Sequence, residues 1–296
     1  MTALTEINQD NLFVKYNGAL LFTGMPHETI VIDVKCLYKH VIDSKSLFAR
    51  YYTDSQLLNG GGYLNPELDK WWHCLRQEPI FLSKLNSKQR YRIKRGLNLN
   101  EIKMVSSDEV RDNIEEFQSL LEDSFSDYPK VYKPRIDYKE YAESFIQISD
   151  SHDSDVWFVF DKLSRKLIGM SVCKTVNSAV NLLMVKVNPQ YNKNEVNAAL
   201  GFSICEHYLN HMEAKYICDG ERNIRHKSNY QDFLIRVLGF KYVPCKLHII
   251  YHPLVRPIVL MLYPLRGFIQ KIEMTNRLLY NISCALKQEE IARFYR

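Results

Sequence analysis

The sequence contains no apolar run of the roughly 20 residues that a membrane-spanning helix needs. Its first twelve residues, MTALTEINQDNL, include two acidic side chains and no apolar stretch, which is unlike a secretory signal peptide. The 296 residues also show no internal repeat and no low-complexity tract. From these absences we expect a globular protein that works in the cytoplasm.

Paired cysteines are absent as well. The seven cysteines are scattered, none forms a CxxC pair, and most lie in apolar runs. A dispersed, odd-numbered set favours buried, reduced thiols over disulfides or zinc ligands, so we predict no metal site. The cysteines are Cys36, Cys74, Cys173, Cys205, Cys218, Cys245 and Cys284.

A strong charge of either sign is also missing. The chain carries 39 Lys and Arg against 34 Asp and Glu, a formal net charge of +5. This small excess indicates a local anion site more than a surface that coats nucleic acid. With 46% hydrophobic residues, the chain has the composition of a globular protein with a full core.

The pattern along the chain predicts three parts. Residues 1–80 form a smaller N-terminal subdomain, which the triple glycine at 60–62 interrupts. Residues 81–252 form the main core, and residues 253–296 form a C-terminal helical extension. The apolar run 258–263 in that extension is too short to span a bilayer.

The C-terminal extension has two interpretations. A helix that packs back on the core explains its apolar residues most simply. A helix that lies on a membrane surface or binds a partner is the alternative. The alternative rests on basic residues among the apolar ones, namely Arg256, Arg266, Lys271 and Arg277.

The sequence pattern of the main core predicts a regular succession of strands and helices. We predict a strand at 101–105, a helix that Asp108 caps and that runs to about Phe125, and a helix at 138–148. Three successive strands follow from Val156 to Pro189. The predicted elements after them are a helix at 195–212, a strand at 214–218, a helix at 229–238 and a strand at 241–251.

A basic segment precedes this core. We expect Ser87 to cap a short helix that Gly96 ends. Its cations either contact RNA phosphates, together with Tyr91, or form a solvated basic face. They are Lys84, Lys88, Arg90, Arg92, Lys94 and Arg95.

Three stretches carry a resemblance to a known family. They are the strand-loop-helix unit at 182–209, the helix with its Gly-Phe ending at 229–240 (NYQDFLIRVLGF), and the basic lead-in at 83–105. Together with the element order, they resemble the GNAT acyltransferase superfamily, and the lead-in resembles its Fem-like branch, over residues 81–251. The resemblance implies a mixed sheet flanked by helices, with a smaller N-terminal α/β extension and a C-terminal helix.

The resemblance also implies a donor site. In GNAT enzymes the strand-loop-helix unit holds the pyrophosphate of an acyl-CoA, and glycines let the backbone close around it. This chain has the sequence QYNKNE at 190–195, with no glycine. The residues implied for CoA are Gln190, Lys193, Asn194, Asn197 and Asn229. A plain strand-to-helix turn capped by Asn194 is an equally good interpretation.

The segment CDGERNIRHKSNYQD at 218–232 is dense in reactive side chains. Acyl transfer to an amine needs a base to remove the ammonium proton, and Asp219 or Glu221 could serve, with His226. GNAT enzymes often use a Tyr before the Gly-Phe turn as general acid, but this chain has Ile235 and Arg236 there. Tyr230 is the nearest hydroxyl. A solvated loop whose charges pair with each other is the alternative.

Three functions fit these observations. The first is a cytoplasmic acyltransferase that moves an acyl group from a CoA-type thioester to a small-molecule or peptide amine. The second is a Fem-like enzyme that takes an aminoacyl group from tRNA and needs the basic residues between Lys84 and Arg95. The third is a catalytically silent GNAT-like module that binds a ligand or partner, which the missing glycines favour.

Overall fold

The computed structural model describes residues 12–28, 30–53, 55, 70–131, 133, 136–224 and 229–295. The strands are β1 (Phe13–Tyr16), β2 (Ala19–Phe22), β3 (Phe48–Thr53), β4 (Trp71–Arg76), β5 (Asn100–Val105), β6 (Ser154–Asp161), β7 (Leu167–Val176), β8 (Ala179–Val187), β9 (Ile217–Glu221) and β10 (Lys241–Tyr251). The helices are α1 (Val34–Asp43), α2 (Ser87–Leu99), α3 (Ser107–Asp112), α4 (Ile114–Ser124), α5 (Tyr138–Ser149), α6 (Val196–Cys205), α7 (Tyr230–Leu238), α8 (Val255–Leu262), α9 (Arg266–Ile272) and α10 (Arg277–Arg293). The predicted mixed α/β fold with flanking helices is confirmed.

The chain packs into two compact units. The first contains residues 1–73, 221–227 and 242–296, and the second contains residues 74–220 and 228–241. The sequence-based boundaries at residues 80 and 252 stay predictions.

The sheet of the second unit is antiparallel from β5 through β6 and β7 to β8. Strand β9 then runs parallel to β8, and its pairs are Val180 with Ile217 and Asn181 with Cys218. Strand β8 runs on to Val187. The pairing therefore joins β9 to the start of β8, and Asp219 is the first residue of β9 after the last pair.

Helices α4 and α5 cover one face of this sheet. Phe117 and Phe145 are buried and make an edge-to-face contact with ring centroids 5.0 Å apart, and both pack in one cluster with Phe158 of β6. The helical segment expected up to about Phe125 is present, but the expected cap is not. Ser106 caps the helix in a capping box with Glu109, and the helix breaks at Asn113 into α3 and α4.

Helix α2 also differs from its prediction. Asn86, not Ser87, is the capping residue. Its side chain accepts a hydrogen bond from the Gln89 N–H, and the Gln89 side chain accepts a hydrogen bond from the Asn86 N–H. Gly96 does not end the helix, which continues to Leu99. A Cβ on Gly96 would lie 2.6 Å from the Glu195 carbonyl oxygen and 2.8 Å from the Ala199 Cβ. The glycine is there because α2 approaches the start of α6 closely.

This close approach reverses the usual effect of a helix glycine. Gly96→Ala is expected to lower the free energy of unfolding by about 1–3 kcal/mol, because the added methyl group meets backbone. Gly267→Ala in α9 is the matched control, since a Cβ there meets nothing within 4 Å. The control should be neutral or stabilising by up to about 1 kcal/mol. Urea denaturation measures both, and equal stability of the two variants would contradict the packing argument.

The strands of the first unit pair as follows. Strands β1 and β2 form an antiparallel hairpin around Asn17 and Gly18, β2 pairs parallel with β3, and β3 pairs antiparallel with β10. One core cluster joins α1, these strands and the end of α10, with buried Leu37, Ala49 and Ile291 among its members.

The C-terminal segment of this unit is helical, as expected, but it contains three helices. Helices α8, α9 and α10 pack through a cluster that includes Tyr251, Val259, Ile269 and Leu286. Among the described residues, no helix is long and apolar enough to cross a membrane.

Candidate functional site

Asp219 lies within β9 and not in the loop after it, because β9 covers Ile217–Glu221 where the sequence pattern predicted 214–218. Ile217 and Cys218 at the start of this strand are buried. The strand then continues into the polar residues that follow them. The next residue, Gly220, has a φ of 84°, and this left-handed backbone favours glycine. Asp219 therefore lies on β9 directly before this left-handed residue.

Asp219 is half-buried in the second unit. Burial raises the pKa of Asp219 to about 7, although a hydrogen bond with the Gln231 side chain partly lowers it. Gln231 is itself buried in the first turn of α7. A carboxyl with a pKa near 7 is half ionised at neutral pH, which is the condition that suits a general base.

Tyr230 and Cys74, the two groups whose pKa the Asp219 charge raises, are neutral at neutral pH. Burial raises the pKa of the Tyr230 hydroxyl well above its ordinary value, and the Asp219 carboxylate raises it further. Burial likewise raises the pKa of Cys74 well above its ordinary value and the pKa of Cys173 and Cys205 to about 12. At neutral pH Tyr230 is therefore a hydrogen-bond donor, and Asp219 is a carboxyl among buried thiols.

The other residues of the predicted cluster are not gathered with Asp219. Glu221 belongs to the first unit, where its carboxylate accepts a hydrogen bond from Trp71 Nε1 at 2.7 Å and pairs with Arg50 at 3.3 Å. His226 lies outside the described residues. Asn229 precedes α7, and its side chain makes no capping hydrogen bond to the helix. The structure thus brings Asp219 together with Tyr230 from the predicted set.

The predicted phosphate loop is a 3₁₀ turn, Pro189–Asn194, followed by α6. Gln190 and Lys193 are exposed on it. The Asn194 side chain does not cap α6 and instead donates a hydrogen bond to Asp161 at 3.2 Å. Asn197 is half-buried in the first turn of α6. These four residues lie on the 3₁₀ turn and on the first turn of α6. Their role in binding CoA stays a prediction.

Glu195 occupies the position before α6 in an unusual way. Its φ of 55° and ψ of 36° are left-handed, the conformation for which a glycine is normally used. Its carboxylate accepts hydrogen bonds from Arg92 Nε at 2.8 Å and Arg92 Nη2 at 2.7 Å. The residue before α6 therefore takes a left-handed backbone without being a glycine, and an ion pair between α2 and Glu195 lies beside the turn.

The cations of α2 border a cavity of about 200 Å³. The Gln89 side chain donates to the Arg236 carbonyl oxygen at 2.9 Å and so links α2 to α7. The cavity is lined by Asn86, Lys88, Gln89, Arg92, Arg236 and Val237. Three cations and a capped helix start around one cavity form a site that suits an anion.

The basic face extends beyond the cavity. Lys88, Arg92 and Arg95 are spaced by four and three residues, so they lie on one side of α2. Arg95 donates to the Lys193 carbonyl oxygen and to the Tyr91 hydroxyl, each at 3.3 Å. The cations of α2 and the predicted phosphate-loop turn therefore form one cationic surface. Tyr91 is exposed on this surface.

Sequence reasoning missed Lys186. This lysine lies on β8, with its ammonium 4.0 Å from the Phe125 ring centroid, and burial lowers its pKa to about 8. A lysine inside the apolar run LLMVKV was the available signal. Within the described part of the chain, no group of three His, Cys, Asp or Glu side chains could hold a metal ion.

Known structures have the same fold. The chain is similar to the C-terminal domain of a candidate lysylphosphatidylglycerol synthetase from Agrobacterium fabrum, with a TM-score of 0.51, 11% identity, and coverage of 80% of this chain and 79% of that one. It is also similar to FemX, with a TM-score of 0.51, 10% identity, and coverage of 84% and 85%. The shared property is the fold. No protein-family model and no curated protein matches the sequence.

Proposed function

We propose that the second unit transfers an acyl group to an amine acceptor, with Asp219 as the general base. The observation that carries this proposal is the position of Asp219 just beyond the last β8–β9 pair, with a pKa near 7. The pairing of β9 with β8 stops before Asp219, and we place an extended ligand along the β9 backbone from that residue. Acyl transfer is also the activity that the GNAT resemblance implies.

The chemistry follows from the protonation states. Asp219 takes a proton from the attacking ammonium group, and the free amine nitrogen then bonds to the carbonyl carbon of the donor. As the tetrahedral intermediate collapses, the bond from that carbon to the leaving sulfur or oxygen breaks, and the second proton of the nitrogen replaces the proton that Tyr230 gives to the leaving group. Tyr230, which is protonated at neutral pH, is the candidate that donates a proton to the leaving group.

The first donor candidate is an acyl-CoA. Gln190, Lys193, Asn194, Asn197 and Asn229 are the residues proposed to hold it. The N–H groups of Val196 and Asn197 support the site, because the first N–H groups of a helix have no partner within the helix. Calorimetric titration with acetyl-CoA and longer acyl-CoAs tests this donor, and no heat at millimolar ligand would exclude it.

The second donor candidate is an aminoacyl group on tRNA. Two observations favour it over CoA. The Glu195 carboxylate pairs with Arg92 beside the turn where a pyrophosphate would sit, and so takes up one of the cations there. The cationic surface of α2 extends over a whole helix, which suits a chain of phosphates better than a single pyrophosphate.

A parallel transfer assay separates these candidates. The enzyme is incubated with one amine acceptor panel and either labelled acyl-CoA or labelled aminoacyl-tRNA, and product is detected by mass spectrometry. If product forms with only one of the two donors, that donor is the one the enzyme uses. No product from either donor across the panel, with correctly folded protein, would support a silent binding module and contradict the proposed function.

A further inference from the structure

Helices α8 and α9 carry apolar side chains on two opposite faces. Val259 and Ile269 are buried, and Val255 and Leu262 are partly buried, all in the cluster that contains Tyr251 of β10. This inward face accounts for the packing of the segment in the first unit. A surface helix normally places polar residues on its other face, and α8 and α9 do not.

The outward face is a stripe of large apolar side chains. Consecutive members are spaced by four, three, four and three residues, so they follow one side of the helical segment. Each exposes between 50% and 74% of its surface. The stripe consists of Leu254, Ile258, Met261, Leu265 and Phe268. Single exposed apolar residues are ordinary, but five in line indicate a surface that something covers.

The charges around the stripe indicate what covers it. Residues 253–278 contain four basic side chains, Arg256, Arg266, Lys271 and Arg277, and one acidic side chain, Glu273. Arg266 forms an ion pair with Glu290 at 2.8 Å, whereas Arg256 and Lys271 are exposed. The segment therefore combines an apolar stripe with a positive surplus, the pattern of helices that lie in the interface of an anionic bilayer.

We propose that the stripe docks this protein on the surface of an anionic lipid bilayer. The apolar side chains enter the boundary between headgroups and acyl chains, and the flanking cations contact the headgroups. A bilayer offers both an apolar layer and a negative surface without demanding a shaped partner. The docking is peripheral, and it brings a catalytic chain to acceptors at that surface.

Flotation of the full-length protein with lipid vesicles tests the docking. The vesicles are phosphatidylcholine alone or an equimolar mixture with phosphatidylglycerol. The parent protein should bind the mixed vesicles, and binding should weaken with added salt. Phe268→Glu should weaken binding about tenfold or more, because a buried aromatic side chain is lost and a charge is added. Lys271→Gln should weaken binding to the mixed vesicles about fivefold.

Leu163→Glu is the matched control. Leu163 is the most exposed large apolar residue described, at 95%, and it lies in the second unit. This variant should bind vesicles as the parent does. Phe268→Ser removes the apolar group without adding charge and should also weaken binding, and thermal melts verify that each variant folds. A parent that does not bind mixed vesicles, stripe variants that bind like the parent, or a parent dimer that Phe268→Glu dissociates would each overturn the proposal.

Discussion

Asp219→Asn is expected to lower turnover by about two orders of magnitude or more, the usual loss when a general base is removed. The change is nearly isosteric, so the hydrogen bond with Gln231 and the packing around β9 are retained. Only the ability to accept a proton is lost. Steady-state kinetics with the donor identified by the parallel assay measures the effect.

The pH dependence of the reaction gives an independent test. The base must be ionised, so kcat/KM of the parent protein should rise with pH and level off above the Asp219 pKa of about 7. The Asp219→Asn variant should lose this rise. Tyr230→Phe should reduce turnover less, if backbone N–H groups share the oxyanion charge, and should leave the rise in place.

Stability separates a catalytic Asp219 from a structural one. Because the pKa of Asp219 is raised on folding, its contribution to stability is present below the ordinary Asp pKa and is lost as pH rises through about 7. Above that pH the parent buries an ionised carboxylate, and Asn does not. The variant should therefore be at least as stable as the parent at pH 8. Full activity in a variant that melts like the parent would place the catalytic residues elsewhere.

Much of the second unit could be predicted from the sequence. The strands β5 to β8, helix α5 and the left-handed Gly239 after α7 follow from local apolar patterns and turn residues. The sequence also places Asp219 in a dense polar segment beside a buried strand, and its catalytic role stays a prediction. Its altered pKa could not be predicted, because it depends on Gln231 and on burial by the folded chain.

The misplaced features share one cause, which is contact between distant parts of the chain. Gly96 was expected to end a helix, but it is a contact point with Glu195 that lies 99 residues away in sequence. Glu195 likewise pairs with Arg92 of α2, a contact between distant parts of the chain that the sequence does not reveal. Lys186 was missed because a lysine on a strand is usually solvated, and the aromatic ring beneath it comes from α4 and its end.

Reversal of the cationic surface is expected to have the other large effect. The variant Lys88→Glu, Arg95→Glu, Arg236→Glu leaves Arg92 unchanged, so the ion pair with Glu195 that joins α2 to α6 is kept. If tRNA binds across this surface, affinity should fall about a hundredfold or more, and the slope of log K against log salt should fall by about 3, one for each lost phosphate contact. Filter binding over a salt series measures both quantities.

The control must change the net charge equally without touching α2. Lys139, Lys166 and Lys215 are exposed lysines of the same unit, so the triple reversal of these residues to Glu alters the total charge by the same amount. Long-range attraction alone would weaken both variants similarly, whereas local phosphate contacts would weaken the α2 variant far more. A parent that binds tRNA and an α2 variant with the same affinity and salt slope would exclude this surface as the tRNA site. In that case the phosphate-loop turn with its acyl-CoA donor would be the remaining candidate for the anion site.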